Sequence, residues 1–282
     1  MNILVTGGCG FVGSHLIETL IKKGHKTYCL DNFFTGSYQN MIEGCEYIEG
    51  ESKDIKKLFD NIEIDIIYHL GEYSRVEQSF EDIDLVFSYN WNSIYSILSF
   101  AKDNNAKLVY SGSSTKFGDE GETKYSSPYA YTKFVNTNLI KTYSNWYGLK
   151  YVITYFYNVY GPREIKSGKY ATVIAKFIEL KQSGIDKLPI TAPGTQKRNF
   201  THVSDIIKGL ILVGESAEGD GYGIGSSESF SIIEIAELLN LEYEILPKKQ
   251  GNRMSAPVLT DKIEALGWFQ EYNLKDYLKK FS

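Results

Sequence analysis

The sequence predicts an α/β protein, with a doubly wound parallel sheet and a smaller C-terminal α/β lobe. Short, uniformly apolar runs alternate with longer amphipathic segments through the first half of the 282 residues. This is the pattern of strands that helices cover on both faces. A glycine-rich loop directly follows the first apolar run. The second half breaks the rhythm with Pro162, Pro189 and Pro193, which indicates shorter elements there.

The apolar runs predict the strands of the sheet, and the amphipathic segments predict its helices. The strands are predicted at Ile3–Val5, Thr27–Leu30, Ile64–Tyr68, Lys107–Tyr110 and Tyr151–Tyr155. The helices are predicted near residues 11–23, 52–60, 83–103, 129–147, 171–183, 203–215 and 231–240. Gly24, after two lysines, is typical of a helix C-terminus.

The strand–helix alternation ends near residue 160, which predicts a cofactor-binding domain at residues 1–160. Residues 161–282 are expected to form mainly a substrate-binding lobe, with some segments returning to the sheet. The alternative is one continuous domain.

Composition and charge restrict the class of partner. The net charge of −5 disfavours a nucleic-acid partner, because phosphate backbones require clustered lysine and arginine. No apolar run approaches the ~20 residues that span a bilayer, and the first residues read as a buried strand. The cysteines, at 9, 29 and 45, follow no metal-ligand spacing. We therefore expect a cytoplasmic, reduced protein without a metal site. The 22 tyrosines suit a nucleotide or sugar cleft, or reflect a biased genome.

The glycine loop predicts a Rossmann-type dinucleotide site. Gly7, Gly10 and Gly13 follow the first strand and open the first helix, next to Phe11 and Val12. Glycines at this spacing allow a tight turn and a close approach of backbone to pyrophosphate, while the helix N-terminus supplies free N–H donors.

Asp31 ends the second predicted strand, where a ribose-binding carboxylate belongs. It would accept hydrogen bonds from a 2′-hydroxyl and repel a 2′-phosphate. The residues that follow, beginning with Asn32, include no arginine to neutralise that phosphate, which favours NAD over NADP. The alternatives are a turn role for Asp31 and a nucleotide-binding fold without redox chemistry.

Tyr129 and Lys133 are four residues apart on a predicted helix, and therefore share one face. An ammonium near a phenol favours the phenolate, which can accept a proton from a sugar hydroxyl. Tyr131 lies on a different face. Ser113 and Thr115 follow the fourth predicted strand, at the sheet edge where ligands bind, and their hydroxyls could bind the reacting sugar oxygen.

Together these motifs resemble the extended short-chain dehydrogenase/reductase family, in its nucleotide-sugar epimerase/dehydratase branch, which includes UDP-glucose 4-epimerases. The resemblance covers nearly the whole chain. The matching positions, in chain order, are Thr6–Gly13, Asp31-Asn32, His69-Leu70, Val76, Ser79, Asn90, Tyr129–Lys133, Asn158–Arg163, Arg198, Asp205 and Arg253.

The resemblance implies roles for these positions. It makes Ser113, Tyr129 and Lys133 catalytic, with Thr115 as a second hydroxyl near the sugar. Leu70, Asn90, Tyr129 and Lys133 would contribute to the NAD site. Substrate contacts are expected from Ser74, Arg75, Ser113, Asn158, Arg198 and Arg253, of which the last three would hold the nucleotide diphosphate. Two guanidinium groups and an amide suit that anion. The resemblance also implies a homodimer, paired through the helices near 83–103 and 129–147.

Departures from the branch bear on the reaction. The 4,6-dehydratases that the chain resembles carry Thr-Asp-Glu where this chain has Ser113-Ser114-Thr115, so the carboxyl pair for water elimination is missing. Glu72 replaces a small residue of the branch. Three roles remain open for this side chain: contact with an unusual sugar, a pair with Arg75, or exposure to solvent.

We therefore expect an NAD-dependent nucleotide-sugar 4-epimerase that forms a transient 4-keto sugar. The main alternative is a C4 dehydrogenase or 4-ketoreductase with net oxidation or reduction. Uronate decarboxylase, 4,6-dehydratase and a non-catalytic nucleotide-binding protein are further alternatives.

Overall fold

The structure, a computed structural model, describes residues 1–117, 119–248 and 257–282, and only the backbone of residues 116, 119 and 120. Its strands are β1 Asn2–Thr6, β2 Lys26–Asp31, β3 Cys45–Glu49, β4 Ile66–His69, β5 Lys107–Ser113, β6 Tyr151–Phe156, β7 Val159–Tyr160, β8 Lys187–Thr191, β9 Lys197–Asn199, β10 Thr201–His202, β11 Gly219–Ile224, β12 Ser229–Ser231 and β13 Glu242–Leu246. Its α-helices are α1 Phe11–Lys22, α2 Ile55–Leu58, α3 Ile83–Val86, α4 Ser93–Asp103, α5 Pro128–Tyr147, α6 Val173–Gln182, α7 Val203–Ser216, α8 Ile232–Leu238, α9 Asp261–Glu264 and α10 Leu274–Leu278.

Seven parallel strands form the central sheet in the order β3-β2-β1-β4-β5-β6-β11. This confirms the predicted Rossmann-type α/β fold. The strand order reverses between β1 and β4, and such a reversal opens a crevice beyond the carboxyl ends of the strands. The edge strand β11 comes from the second half of the chain and pairs with β6.

Alternate residues of each strand feed two hydrophobic cores, one on each face of the sheet. Ile3 and Val5 pack with α1 and α7, whereas Leu4 packs with α4 and α5. Because all three side chains are at most 1% exposed, β1 is buried on both faces, as its uniformly apolar sequence predicts.

The second half contributes a third core, formed by α6, α8, α10 and two small sheets. In these sheets β8 pairs with β13 and β9 pairs with β12. The proposed boundary between residues 160 and 161 stays a prediction. Among the described helices, none is both long enough and apolar enough to cross a membrane.

In the first half of the chain, three elements differ from the sequence prediction. The strand β3 was not predicted, because its five residues include two glutamates and form no uniformly apolar run at this edge of the sheet. The helix predicted near 52–60 is a 3₁₀ turn followed by the four-residue α2. The helix predicted over 83–103 is interrupted by a π-helical turn at Phe87–Asn92. Such turns occur most often at functional sites, and this one carries Asn90.

Candidate active site

One large cleft runs along the carboxyl edge of the sheet and into the C-terminal lobe, with a volume of about 1170 Å³. It is lined by the glycine loop, the ends of β2, β4 and β5, the start of α5, and parts of α6, β8 and β9. This is the edge at which doubly wound sheets bind ligands, and the volume exceeds the roughly 300–1,000 Å³ of single-ligand pockets. The cleft therefore has room for a dinucleotide and a second ligand.

The glycine loop is packed too closely for side chains. A Cβ on Gly13 would lie 2.2 Å from the Gly7 carbonyl oxygen, and a Cβ on Gly7 would lie 2.7 Å from the Gly71 backbone. Gly7 also has φ +71°, a conformation that favours glycine. Gly10 is the N-cap of α1 and has no capping side chain, so the first amides of α1, next to Phe11 and Val12 on the cleft wall, can serve a ligand. This cradle fits a pyrophosphate.

Asp31 lies where the ribose of a dinucleotide is expected. Its carboxylate accepts hydrogen bonds from the amides of Cys9 and Phe33, each at 2.8 Å. Burial raises the pKa of Asp31, while these two amides lower it. Asn32 lies beside it on the cleft wall and accepts a bond from the Phe34 amide at 3.1 Å. Lone pairs that the two amides leave free can accept ribose hydroxyls.

Tyr129 and Lys133 lie in the first turns of α5, and both line the cleft. The helix begins there because Ser127 caps it, with its hydroxyl accepting from the Ala130 amide, and because Pro128 occupies the first turn. Tyr131, the rival phenol, is 41% exposed and does not line this cleft.

Ser113 and Thr115 lie at the end of β5, and both line the cleft. Their hydroxyl oxygens are 2.8 Å apart, and the Thr115 amide donates to the Ser113 hydroxyl at 3.2 Å. The hydroxyl of Thr123 donates to the Thr115 carbonyl. The predicted hydroxyl pair therefore forms a connected unit facing the same cleft as Tyr129.

Glu72 neither pairs with Arg75 nor is exposed to solvent, which contradicts two of its three sequence-based alternatives. Its side chain is 1% exposed, and Oε2 lies 2.5 Å from Lys133 Nζ. Lys133 Nζ also donates to the Ser111 carbonyl at 2.7 Å. The partner of Glu72 is thus the predicted catalytic lysine, and Arg75 instead donates to the Tyr170 carbonyl at 2.8 and 3.0 Å.

Leu70 and Asn90, both predicted at the cofactor site, differ in position. Leu70 lines the cleft. Asn90 is fully buried and binds the backbone of Tyr73, accepting from its amide at 2.7 Å and donating to its carbonyl at 3.2 Å. A further bond joins it to the Thr132 hydroxyl at 3.1 Å. It therefore supports the wall of the cleft from behind, and its predicted contact with the cofactor stays a prediction.

Four of the predicted substrate residues beyond Ser113 line the cleft: Ser74, Arg75, Asn158 and Arg198. Asn158 donates to the Asn199 carbonyl at 2.9 Å. Arg253 lies outside the described residues.

Residues 163–172 form a strap along one wall of the cleft, held by contacts from the segment after β4. Asp82 accepts bonds from Lys169 Nζ at 2.7 Å and from the hydroxyls of Tyr170 and Tyr73 at 2.9 and 2.8 Å. The rings of Phe34 and Tyr170 are 5.2 Å apart. The strap thus joins the cofactor half of the cleft to the C-terminal lobe.

Glu164 also lines the cleft, and sequence reasoning missed it. It accepts bonds from the Gly161 amide at 2.8 Å and the Thr172 hydroxyl at 2.6 Å. Burial raises the pKa of Glu164 to about 7. Burial is what makes the Glu164 carboxyl unusual, and the sequence around Glu164 does not indicate that this residue is buried.

The family model of the NAD-dependent epimerase/dehydratase family matches residues 3–225. The chain belongs to the NAD-dependent epimerase/dehydratase family. Membership agrees with the cradle formed by the glycine loop and with the carboxylate of Asp31, and NAD is the cofactor. Enzymes of this family act on nucleotide sugars, and this chain is an NAD-dependent enzyme of that kind.

Curated relatives differ in their reactions. A putative UDP-glucose 4-epimerase of Methanocaldococcus jannaschii is 28% identical over 99% of this chain and 96% of its own length. A UDP-N-acetyl-alpha-D-glucosaminuronate decarboxylase of Bacillus cytotoxicus is 30% identical over 83% of this chain and 78% of its own length. Human dTDP-D-glucose 4,6-dehydratase is 29% identical over 99% and 88%.

Solved structures of epimerases superimpose closely on the fold. Thermotoga maritima UDP-glucose 4-epimerase with UDP-glucose matches with a TM-score of 0.93 and 25% identity, over 100% of this chain and 97% of that chain. Thermus thermophilus UDP-glucose 4-epimerase in complex with NAD matches with a TM-score of 0.88 and 28% identity, over the same shares.

Proposed function

We propose that the protein is a nucleotide-sugar 4-epimerase. The observation that carries this proposal is the composition of the reactive part of the cleft. Tyr129 and Lys133 face a pair of hydroxyls, Ser113 and Thr115, with no carboxylate in that segment. Proton transfer at a single sugar hydroxyl requires only such groups.

In the proposed mechanism Tyr129 acts as a phenolate that the ammonium of Lys133 stabilises, and it accepts the proton of the C4 hydroxyl and becomes a neutral phenol. Ser113 and Thr115 bind the C4 oxygen through the alcohol and ketone stages. Bound NAD supplies the hydride acceptor for the C4 hydrogen and its donor for the return. The 4-keto sugar presents its other face before Tyr129 gives the proton back, which inverts C4.

The strap favours an epimerase over the runner-up, a C4 dehydrogenase or 4-ketoreductase. An epimerase regenerates its cofactor in every cycle, so the cofactor can stay bound. Asp82 accepts hydrogen bonds from Lys169 and Tyr170 of the strap and from Tyr73, and moving the strap away from the cleft would break the bonds of Lys169 and Tyr170 together. This arrangement suits a cofactor that is retained rather than exchanged.

A 4,6-dehydratase is a further candidate, and Glu164 is the observation that favours it. Water elimination needs an acid as well as a base, and a carboxyl with a pKa of about 7 is partly protonated near neutral pH. Against it, both Glu164 oxygens already bind Gly161 and Thr172.

We also propose a nucleotide-diphosphate sugar as the substrate and a homodimer as the assembly. Trp91, Tyr95 and Trp146, on or beside the helices predicted to pair, are 43%, 66% and 64% exposed. Large exposed aromatic groups of this kind mark protein interfaces. Phe100 and Tyr143 face the protein's own core and are only 4% and 5% exposed.

The test is a panel of UDP-, GDP- and TDP-sugars with product identification by NMR. We expect one or more of them to be converted to the C4 epimer, with no net change in NADH absorbance. The Tyr131→Phe variant, which alters a phenol outside the cleft, should give the same product. A sugar product that has lost water or carbon dioxide would contradict the 4-epimerase proposal. The formation of one NADH for each sugar converted would also contradict it.

A further inference from the structure

Glu72 lies three residues beyond His69, the last residue of β4, and both of its carboxylate oxygens are engaged. Oε2 lies 2.5 Å from Lys133 Nζ and accepts from the Tyr110 hydroxyl at 2.9 Å. Oε1 accepts from Asn136 Nδ2 at 3.0 Å and lies 3.4 Å from His69 Nε2. Partners from β4, β5 and α5 thus surround one carboxylate.

These partners are themselves held in place. His69 Nδ1 is 2.7 Å from the Thr6 hydroxyl, at the start of the glycine loop, and that hydroxyl also accepts from the Gly71 amide at 3.1 Å. Asn136 donates as well to the Asn90 carbonyl at 2.9 Å. A buried polar network therefore runs from the glycine loop to α5.

The environment of Glu72 suits an ionised carboxylate. Burial alone would raise the pKa of Glu72, but the charge of Lys133 and the contact with His69 hold that pKa below its usual value. A buried charge persists only where a countercharge and hydrogen bonds compensate for lost hydration, and Glu72 has both.

The network also determines how many donors Lys133 can offer to a ligand. An ammonium group has three N–H donors. One is directed to Glu72 Oε2 and one to the Ser111 carbonyl, which leaves one for the cleft that Lys133 lines. Without Glu72 the long side chain would be free to adopt other rotamers.

We propose that Glu72 is a positioning residue for Lys133, and that by cancelling the lysine's charge it sets the pH range in which Tyr129 works. This inference rests on the proposed role of the Tyr129–Lys133 pair. The other groups whose charge acts on this site are His69, behind Glu72, and Arg75, which interacts electrostatically with Tyr129. The Glu72 carboxylate offsets the charge of the ammonium that favours the phenolate, so removing the carboxylate is expected to extend the activity of Tyr129 to lower pH.

The first measurement is the pH profile of single-turnover hydride transfer from a nucleotide sugar, read as NADH absorbance. The acid limb of this profile is the low-pH range in which the rate of hydride transfer falls. In Glu72→Gln we expect this limb to move to lower pH by about one unit, which is the smallest pKa change typical of a neighbouring charge. Glu72→Asp keeps the charge but shortens the reach to Lys133. It should restore the native limb while hydride transfer stays slower.

The matched control is Tyr110→Phe, which removes a donor to Glu72 without changing any charge. Its acid limb should coincide with that of the native protein. If Glu72→Gln, folded and loaded with NAD, keeps the native limb, the proposal is overturned. It is also overturned if Glu72→Asp shifts the limb as Glu72→Gln does.

A second measurement does not depend on turnover. Phenolate formation is followed by near-ultraviolet absorbance in the protein and in its Tyr129→Phe variant. The difference between the two titration curves isolates the contribution of Tyr129. When both proteins also carry Glu72→Gln, this difference curve should move to lower pH by a similar amount. Difference curves that coincide with and without Glu72→Gln would contradict the proposal. If no nucleotide sugar supports hydride transfer, the proposed function fails, whereas this titration still tests Glu72.

Discussion

Tyr129→Phe is expected to reduce turnover by about 10²- to 10⁴-fold, because it removes the proposed acid–base group. The phenyl ring keeps the packing of α5, so folding and NAD binding should change little. The measurement compares kcat, NAD content and thermal unfolding of the variant with those of the native protein.

The control for this variant lies on the same helix. Tyr131→Phe removes a phenol that is 41% exposed and should retain native turnover. If Tyr129→Phe were as active as Tyr131→Phe, proton transfer would have to be assigned to another group in the cleft.

Gly13→Ala is expected to weaken NAD binding by roughly ten- to a hundredfold. The new Cβ would lie 2.2 Å from the Gly7 carbonyl oxygen and 2.7 Å from Gly8 Cα, so the loop must move. Overpacking of this kind costs ~1–3 kcal/mol, and each 1.4 kcal/mol is about tenfold in affinity. Titration of the NAD-free protein with NAD measures the effect.

Gly148→Ala is the matched control. Gly148 ends α5 with φ +70°, and a Cβ there would meet nothing within 4 Å. This variant should lose some stability through backbone strain while keeping native affinity for NAD. Equal losses of affinity in both variants would show that general destabilisation, and not the shape of the cradle, controls NAD binding.

The parts of the site that could be predicted are those whose causes are local in sequence. The glycine spacing directly after β1 predicts the cradle, and Asp31 follows from the end of β2. The start of α5 is predicted by Ser127 and Pro128, which fix the register that puts Tyr129 and Lys133 on one face.

The parts that could not be predicted depend on contacts between distant segments. Glu72 meets Lys133 only because the fold brings the loop after β4 against α5, and nothing near Glu72 in the sequence indicates that partner. The raised pKa of Glu164 follows from burial against Thr172 and Gly161. The strand pair β8–β13 joins two five-residue segments that are far apart in sequence, and neither segment indicates the other as its partner.

Tyr129 and Lys133 are proposed to carry out reversible hydride chemistry at one sugar carbon. The most direct test uses the substrate identified by the panel, deuterated at C4, with NMR location of the label in the product. We expect a C4-inverted sugar that keeps all of its deuterium at C4, because the hydride returns to the carbon that it left. Deuterium found at C6 after loss of water, or in released NADH, would contradict it.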